Sequence, residues 1–120
     1  MKKKILVIDD SPTLRKVLNF YLSKQGYNVS EANNGMKGLS HIKKEPFDLV
    51  ILDMKMPIMD GFEVLNELKK VKNFTTPILI LSADKEEETK GKGISLGASY
   101  YLTKPFKPQE VVSKIEDIFN

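Results

Sequence analysis

The sequence predicts an α/β protein, a doubly wound (βα)5 three-layer sandwich in which five parallel strands run in the order 2-1-3-4-5. Short continuous apolar runs recur along the chain, as expected of parallel strands covered on both faces. Amphipathic helical patterns fill the intervals between them. No repeat and no linker divides the 120 residues, so a single domain spanning 1–120 is expected.

Taken in order, Ile5-Leu6-Val7-Ile8 is the first strand. The helix after it carries Leu14, Val17, Leu18, Tyr21 and Leu22 at the i, i+3, i+4, i+7, i+8 spacing, and Ser11 and Pro12 suit its N-cap and first turn. Asn28 to Ala32 alternates in polarity and suits an edge strand, and Leu39 and Ile42 mark a thinner helix after Gly35. Leu49-Val50-Ile51-Leu52 is the third strand, followed by a helical stripe of Val64, Leu65, Leu68 and Val71. Beyond the fourth strand, Ile78-Leu79-Ile80-Leu81, a helix from Lys85 to Leu96 opens on an acidic turn but holds Gly91 and Gly93. Each interior glycine costs about 1 kcal/mol relative to alanine, so this helix should be the least stable of the five. Tyr100-Tyr101-Leu102 forms the fifth strand, and Val111, Val112, Ile115, Ile118 and Phe119 the last helical stripe behind Pro108. Right-handed crossovers leave few topologies, and the order 2-1-3-4-5 covers both faces of the sheet.

Composition excludes several function classes. With 41% hydrophobic and 29% charged residues the chain is that of an ordinary globular domain. No apolar run approaches a membrane span, and Lys2-Lys3-Lys4 leads into an apolar stretch too short for a signal peptide, so a cytoplasmic protein without membrane attachment is expected. The absence of cysteine rules out disulfides, thiol chemistry and thiolate metal sites. The net charge of +3 comes from basic residues scattered among acids, which disfavours direct nucleic-acid binding. His41, the single histidine, falls on the second helix and is assigned to surface.

In a sheet of this order, ligands bind beyond the carboxyl ends of the strands, near the switch point between strands 1 and 3. Strand 1 ends in Asp9-Asp10, strand 3 in Asp53 and strand 4 in Ser82, while strand 5 runs through Thr103 into Lys104-Pro105. Taken singly these residues have plain readings: Asp10 equally suits a cap for the following helix, Asp53 a turn and Ser82 a cap. Taken together they bring three carboxylates to one edge, where a cation must offset their repulsion unless some stay protonated. An all-oxygen, cysteine-free site suits Mg2+, for which Mn2+ can substitute, and the Lys104 ammonium supplies a fixed positive charge.

Ile8-Asp9-Asp10-Ser11, Asp53-Met54-Lys55-Met56-Pro57 leading to Met59-Asp60-Gly61, Leu81-Ser82-Ala83, Gly97-Ala98 and Tyr101-Leu102-Thr103-Lys104-Pro105-Phe106 occur in that order and spacing. In these segments the chain resembles, over essentially its whole length, the receiver family of two-component response regulators, close to its single-domain CheY-like members with their flavodoxin-like fold. The resemblance implies a phosphorylation-dependent switch in chemotaxis or a phosphorelay. Asp53 would accept a phosphoryl group from a phosphohistidine on a sensor histidine kinase or phosphotransfer protein. Mg2+ would be held by Asp10, Asp53 and the backbone carbonyl of Lys55, with Asp9 acting largely through water. Ser82 would bind a phosphoryl oxygen, Tyr101 would swing inward as the aromatic switch, and a cis Lys104-Pro105 peptide would aim the ammonium into the pocket. Such a protein catalyses only its own phosphoryl transfer and slow autodephosphorylation.

The Lys55 side chain departs from the apolar or amide residue of many relatives and is expected to shield the phosphoryl group from water, like a similar lysine in sporulation phosphorelay receivers. The expected output face is the fourth helix, fifth strand and fifth helix, with Lys90, Lys92, Tyr100, Lys107 and Glu110, a mildly basic surface for a downstream protein. One alternative is the receiver of a DNA-binding transcriptional regulator, since Asn120 closes the fifth helix as either a natural end or a boundary would. An aspartate-nucleophile phosphohydrolase is disfavoured because its second acid would fall at Lys55, and a flavin binder because Asp9 and Asp10 would repel a phosphate.

Overall fold

The apolar runs become five parallel strands: β1 (Lys4–Ile8), β2 (Asn28–Ala32), β3 (Leu49–Asp53), β4 (Ile78–Ser82) and β5 (Tyr100–Thr103). They form one sheet in the order β2-β1-β3-β4-β5. A computed structural model describes residues 2–83, 91, 94–95 and 97–120. Within these lie α1 (Pro12–Lys24), α2 (Gly35–Lys44), α3 (Gly61–Leu68) and a C-terminal helix, Pro108–Phe119. Of the predicted fourth helix, Gly91, Ile94 and Ser95 are helical, while Lys90, Lys92 and Gly93 lie outside the described residues.

Continuous apolar strands serve two cores at once because successive side chains point to opposite faces. Leu6, Ile8, Val50, Leu52, Ile78 and Ile80 pack with Leu39 of α2 and with Val64, Leu65 and Leu68 of α3. Ile5, Val7, Leu49, Ile51, Leu79 and Leu81 pack on the other face with Leu18 and Leu22 of α1 and with Val111 and Ile115 of the C-terminal helix. All five residues of β3 and of β4 are buried. β2 is an edge strand as expected, but three of its residues are half-buried in succession, so the alternation read from its sequence is not an alternation of exposure. α3 also ends sooner than its apolar stripe: Val71 packs on the first core from the loop after the helix. No helix among the described residues is long and apolar enough to cross a membrane.

Helix starts follow local chemistry. Ser11 caps α1, its side chain accepting from the Leu14 N–H with Pro12 in the first turn, and Asn34 caps α2 through the Lys37 N–H. Asp60 and Glu63 form a capping box at α3. Gly61 starts α3 where a β-carbon would lie 2.8 Å from the Asp53 carbonyl oxygen and 2.7 Å from Met54 Cα. Only glycine lets α3 begin this close to the end of β3.

Candidate functional site

Parallel strands all point their carboxyl ends the same way, so the residues that end them meet along one edge. Ile8 pairs with Leu52, Asp53 with Leu81 and Ser82 with Thr103. That register sets Asp9, Asp53, Ser82 and the Lys104 backbone in neighbouring positions, and Lys104 N–H donates to the Ser82 carbonyl at 2.7 Å.

Asp9, Asp10 and Asp53 each offer a carboxylate oxygen, and the three atoms lie within 4.8 Å of one another. Asp9 is 1% exposed and Asp53 4%, while Asp10 opens to solvent. The Lys104 ammonium reaches in from β5, donating to Asp53 Oδ1 at 3.2 Å and to Asp9 Oδ2 at 3.3 Å. Burial, and then the Asp9 charge, raise the Asp53 pKa from 3.8 to about 6, against the opposing pull of Lys104 and of the Lys55 N–H, which donates to Asp53 Oδ1 at 3.4 Å. The donor set is oxygen throughout, with one exposed carboxylate beside two buried ones. Such a set suits a hard divalent cation of octahedral preference that keeps part of its water shell.

The plain reading of Asp10 as a helix cap is corrected here, because Ser11 caps α1. Asp9 closes a turn instead, its Oδ1 accepting from the Ser11 N–H at 2.9 Å. The Asp10 carboxylate makes no hydrogen bond to another described residue and is left to face the cluster.

Ser82 is the buried last residue of β4. Tyr101 is half-buried on β5 and packs against the first core. Lys55 is exposed, and the Lys104-Pro105 peptide is cis. On the expected output face, Tyr100 is half-buried and Lys107 and Glu110 are exposed. His41 lies in the second half of α2 and packs edge-on to Phe47, at 6.4 Å between centroids, so it is half-buried rather than free on the surface.

Two features beside the site escaped the sequence reading. Arg15 of α1 donates to the backbone carbonyl of Asp9 at 2.7 Å and to Glu31 of β2 at 3.2 Å. It lies three and seven residues before Leu18 and Leu22, the two buried residues of α1, and a charge on the buried face of a helix was the signal available. Ile58, in the loop between β3 and α3, has φ 71° and is 90% exposed, and the Met59 N–H donates across it to the Pro57 carbonyl at 2.8 Å. This is a γ-turn with positive φ, a rare and strained conformation that no side-chain pattern announces.

Known proteins are similar to this chain in sequence and in fold. The response regulator receiver domain family matches residues 5–116. The regulatory protein VanRc of Enterococcus gallinarum is 38% identical over 116 residues, covering 97% of this chain and 49% of that protein. The alkaline phosphatase synthesis transcriptional regulatory protein PhoP of Bacillus subtilis is 42% identical over 118 residues, covering 98% of this chain and 49% of its own. The chain thus spans about half the length of these curated relatives. Among solved structures, the chemotaxis response regulator CheY4 of Vibrio cholerae superposes with a TM-score of 0.93 at 33% identity, over 98% of this chain and 99% of that one. A five-stranded sheet of this order, an acidic trio at its carboxyl edge and a family match across nearly every residue lead to one conclusion: the chain belongs to the response regulator receiver family.

Proposed function

We propose that this domain is a phosphorylation-dependent switch in which Asp53 receives a phosphoryl group from a phosphohistidine of a histidine kinase or phosphotransfer protein. The observation that carries the reading is the convergence of Asp9, Asp10 and Asp53 with the Lys104 ammonium at one sheet edge. Asp10, Asp53 and the Lys55 carbonyl would hold Mg2+, with Asp9 acting through water. When bound, the cation supplies positive charge against that of the phosphoryl oxygens.

The chain's own residues do the remainder. An Asp53 oxygen attacks phosphorus, the new O–P bond forms as the N–P bond to the donor imidazole breaks, and the imidazole leaves with the electron pair. Lys104 gives up its pairing with the carboxylates and turns to a phosphoryl oxygen, and Ser82 donates its hydroxyl to another. Their different contacts in the two states bias Tyr101 inward, which changes the surface around β5 and the C-terminal helix. That surface would meet a downstream protein.

Incubation with Mg2+ and acetyl phosphate, followed by intact mass, tests the reading. One phosphoryl adduct that requires Mg2+ and is lost in Asp53→Asn is expected. An adduct that survives in Asp53→Asn would assign the acceptor elsewhere, and no adduct in the wild type would overturn the switch. A second reading is favoured by VanRc and PhoP, regulators about twice as long as this chain: the same switch could govern a DNA-binding output in a longer polypeptide. The mass of the natural gene product, detected in cells with an antibody to this domain, separates the two.

A further inference from the structure

Asp9 has a neighbour in place on every side. Its N–H donates to the Ala32 carbonyl of β2 at 3.1 Å, its Oδ1 accepts from Ser11, its Oδ2 from Lys104, and its carbonyl from Arg15 Nη1 at 2.7 Å. Among the described residues, the Asp10 carboxylate has no such support. The Asp9 carbonyl belongs to the peptide plane that joins Asp9 to Asp10, and that plane, being rigid, sets the direction in which Asp10 leaves the sheet.

Arg15 is itself braced. Its Nε donates to Glu31 Oε1 at 3.2 Å, Glu31 Oε2 accepts from Asn19 at 2.8 Å, and Asn19 Oδ1 accepts from the Ser23 hydroxyl at 2.7 Å. The Arg15 side chain is 15% exposed and that of Glu31 31%. A planar guanidinium with donors along two fixed directions can span a carboxylate on β2 and a carbonyl at the end of β1; a lysine ammonium offers no such fork. Because the Glu31 carboxylate already neutralises the guanidinium, the contribution of Arg15 to the edge is geometric more than electrostatic.

The geometry points to Arg15 as a positioning residue for the cation: through the Asp9 carbonyl, and held by Glu31, it aims the Asp10 carboxylate at the site. This rests on the reading of the acidic edge as a Mg2+ site. It extends that site to a residue on α1 and a residue on the edge strand, neither of which touches the cation. Outer partners of this kind typically change metal affinity about 10- to 100-fold when removed.

Isothermal titration with MgCl2 on the whole domain, paired with thermal melts, tests the inference in wild type, Arg15→Lys, Glu31→Ala and Glu31→Gln. Arg15→Lys and Glu31→Ala are expected to weaken Mg2+ binding about tenfold, while phosphorylation by acetyl phosphate recovers toward the wild-type rate at saturating Mg2+. Glu31→Gln keeps an acceptor for Arg15 and should change affinity less than Glu31→Ala. A purely structural role would lower the melting temperature and leave the Mg2+ affinity of the folded protein unchanged, which overturns the inference. Full rescue by Arg15→Lys would make the effect one of charge and also overturn it. Should Arg15→Lys fail to fold, Glu31→Ala against Glu31→Gln decides, since both remove the charge and only the first removes the acceptor for Arg15; equal Mg2+ affinities of the two would overturn the inference. Wild type that binds no Mg2+ would instead bring down the reading of the site, so the two failures are distinguishable.

Discussion

Two ends of one lysine face different surroundings at the acidic edge. The Lys55 N–H donates to Asp53 Oδ1, while its side chain is exposed at the same edge. An ammonium able to lie over a phosphoryl group on Asp53 would exclude the water that hydrolyses it. Lys55→Asn is therefore expected to raise the dephosphorylation rate by about fivefold, equivalent to roughly 1 kcal/mol of barrier. The decay of the phosphoryl adduct, followed by intact mass after removal of acetyl phosphate, measures this, and an unchanged half-life would remove the shielding role. The identity of the acidic residues was readable at this scale, since Asp9, Asp10 and Asp53 stand at the ends of recognisable strands. The partners of Arg15 were not: a charge on the buried face of α1 signals that a partner exists, but nothing in the neighbouring sequence specifies Glu31, sixteen residues away on β2.

The loop from β3 to α3 is the element where local conformation is most constrained. Ile58 sits in the left-handed region, and for a β-branched residue this costs about 1–2 kcal/mol. Its side chain is 90% exposed, so packing offers little to offset that cost. Ile58→Gly should stabilise the domain by about 0.5–1 kcal/mol, the relief of strain exceeding the roughly 0.5–1 kcal/mol that glycine adds in backbone freedom. A urea midpoint that falls would show the turn to be favourable for isoleucine. Three residues on, the requirement reverses. Gly61→Ala would drive a methyl group into Met54 and the Asp53 carbonyl, where the backbone cannot yield cheaply. A loss of about 2 kcal/mol is expected, with a lower phosphoryl yield at equal Mg2+, because the atoms displaced belong to the end of β3. Denaturant melts and intact mass together check both parts.

For the whole molecule, the acidic edge sets how stability depends on pH. Asp53 has a folded pKa of about 6 against an ordinary 3.8, mainly through burial and then through the charge of Asp9. A raised pKa means the native state binds the proton more tightly than the unfolded chain does. This contribution to stability is fully present below about pH 4 and is lost as pH rises through about 6. The metal-free domain should accordingly lose on the order of 2 kcal/mol from this group between pH 4 and pH 7. Asp53→Asn should flatten that part of the profile and be the more stable protein at pH 7. Mg2+ should raise the melting temperature more at pH 7.5 than at pH 5, where protons compete for the same oxygens. Chemical denaturation across this pH range, with and without MgCl2, checks the sign; wild type and Asp53→Asn profiles of the same slope would sink it.

Strand count, element order and fold class were determined by the sequence alone, because the period of an apolar pattern is a local property and right-handed crossovers leave little freedom in joining the pieces. Continuous runs such as Leu49 to Leu52 and Ile78 to Leu81, short and rich in branched residues, suited strands buried on both faces, which is how they pack. Ser11 suited the N-cap of the first helix by its place just before Pro12, and it does cap α1. Tertiary structure alone decided what depends on distance between remote residues. Lys104 meets Asp9 across 95 positions, and Arg15 joins α1 to both β1 and β2. Desolvation of Asp53 exists only once the sheet and its helices exclude water. Proton affinity, side-chain aim and close approach are sums over three-dimensional neighbours, and no one-dimensional pattern contains them.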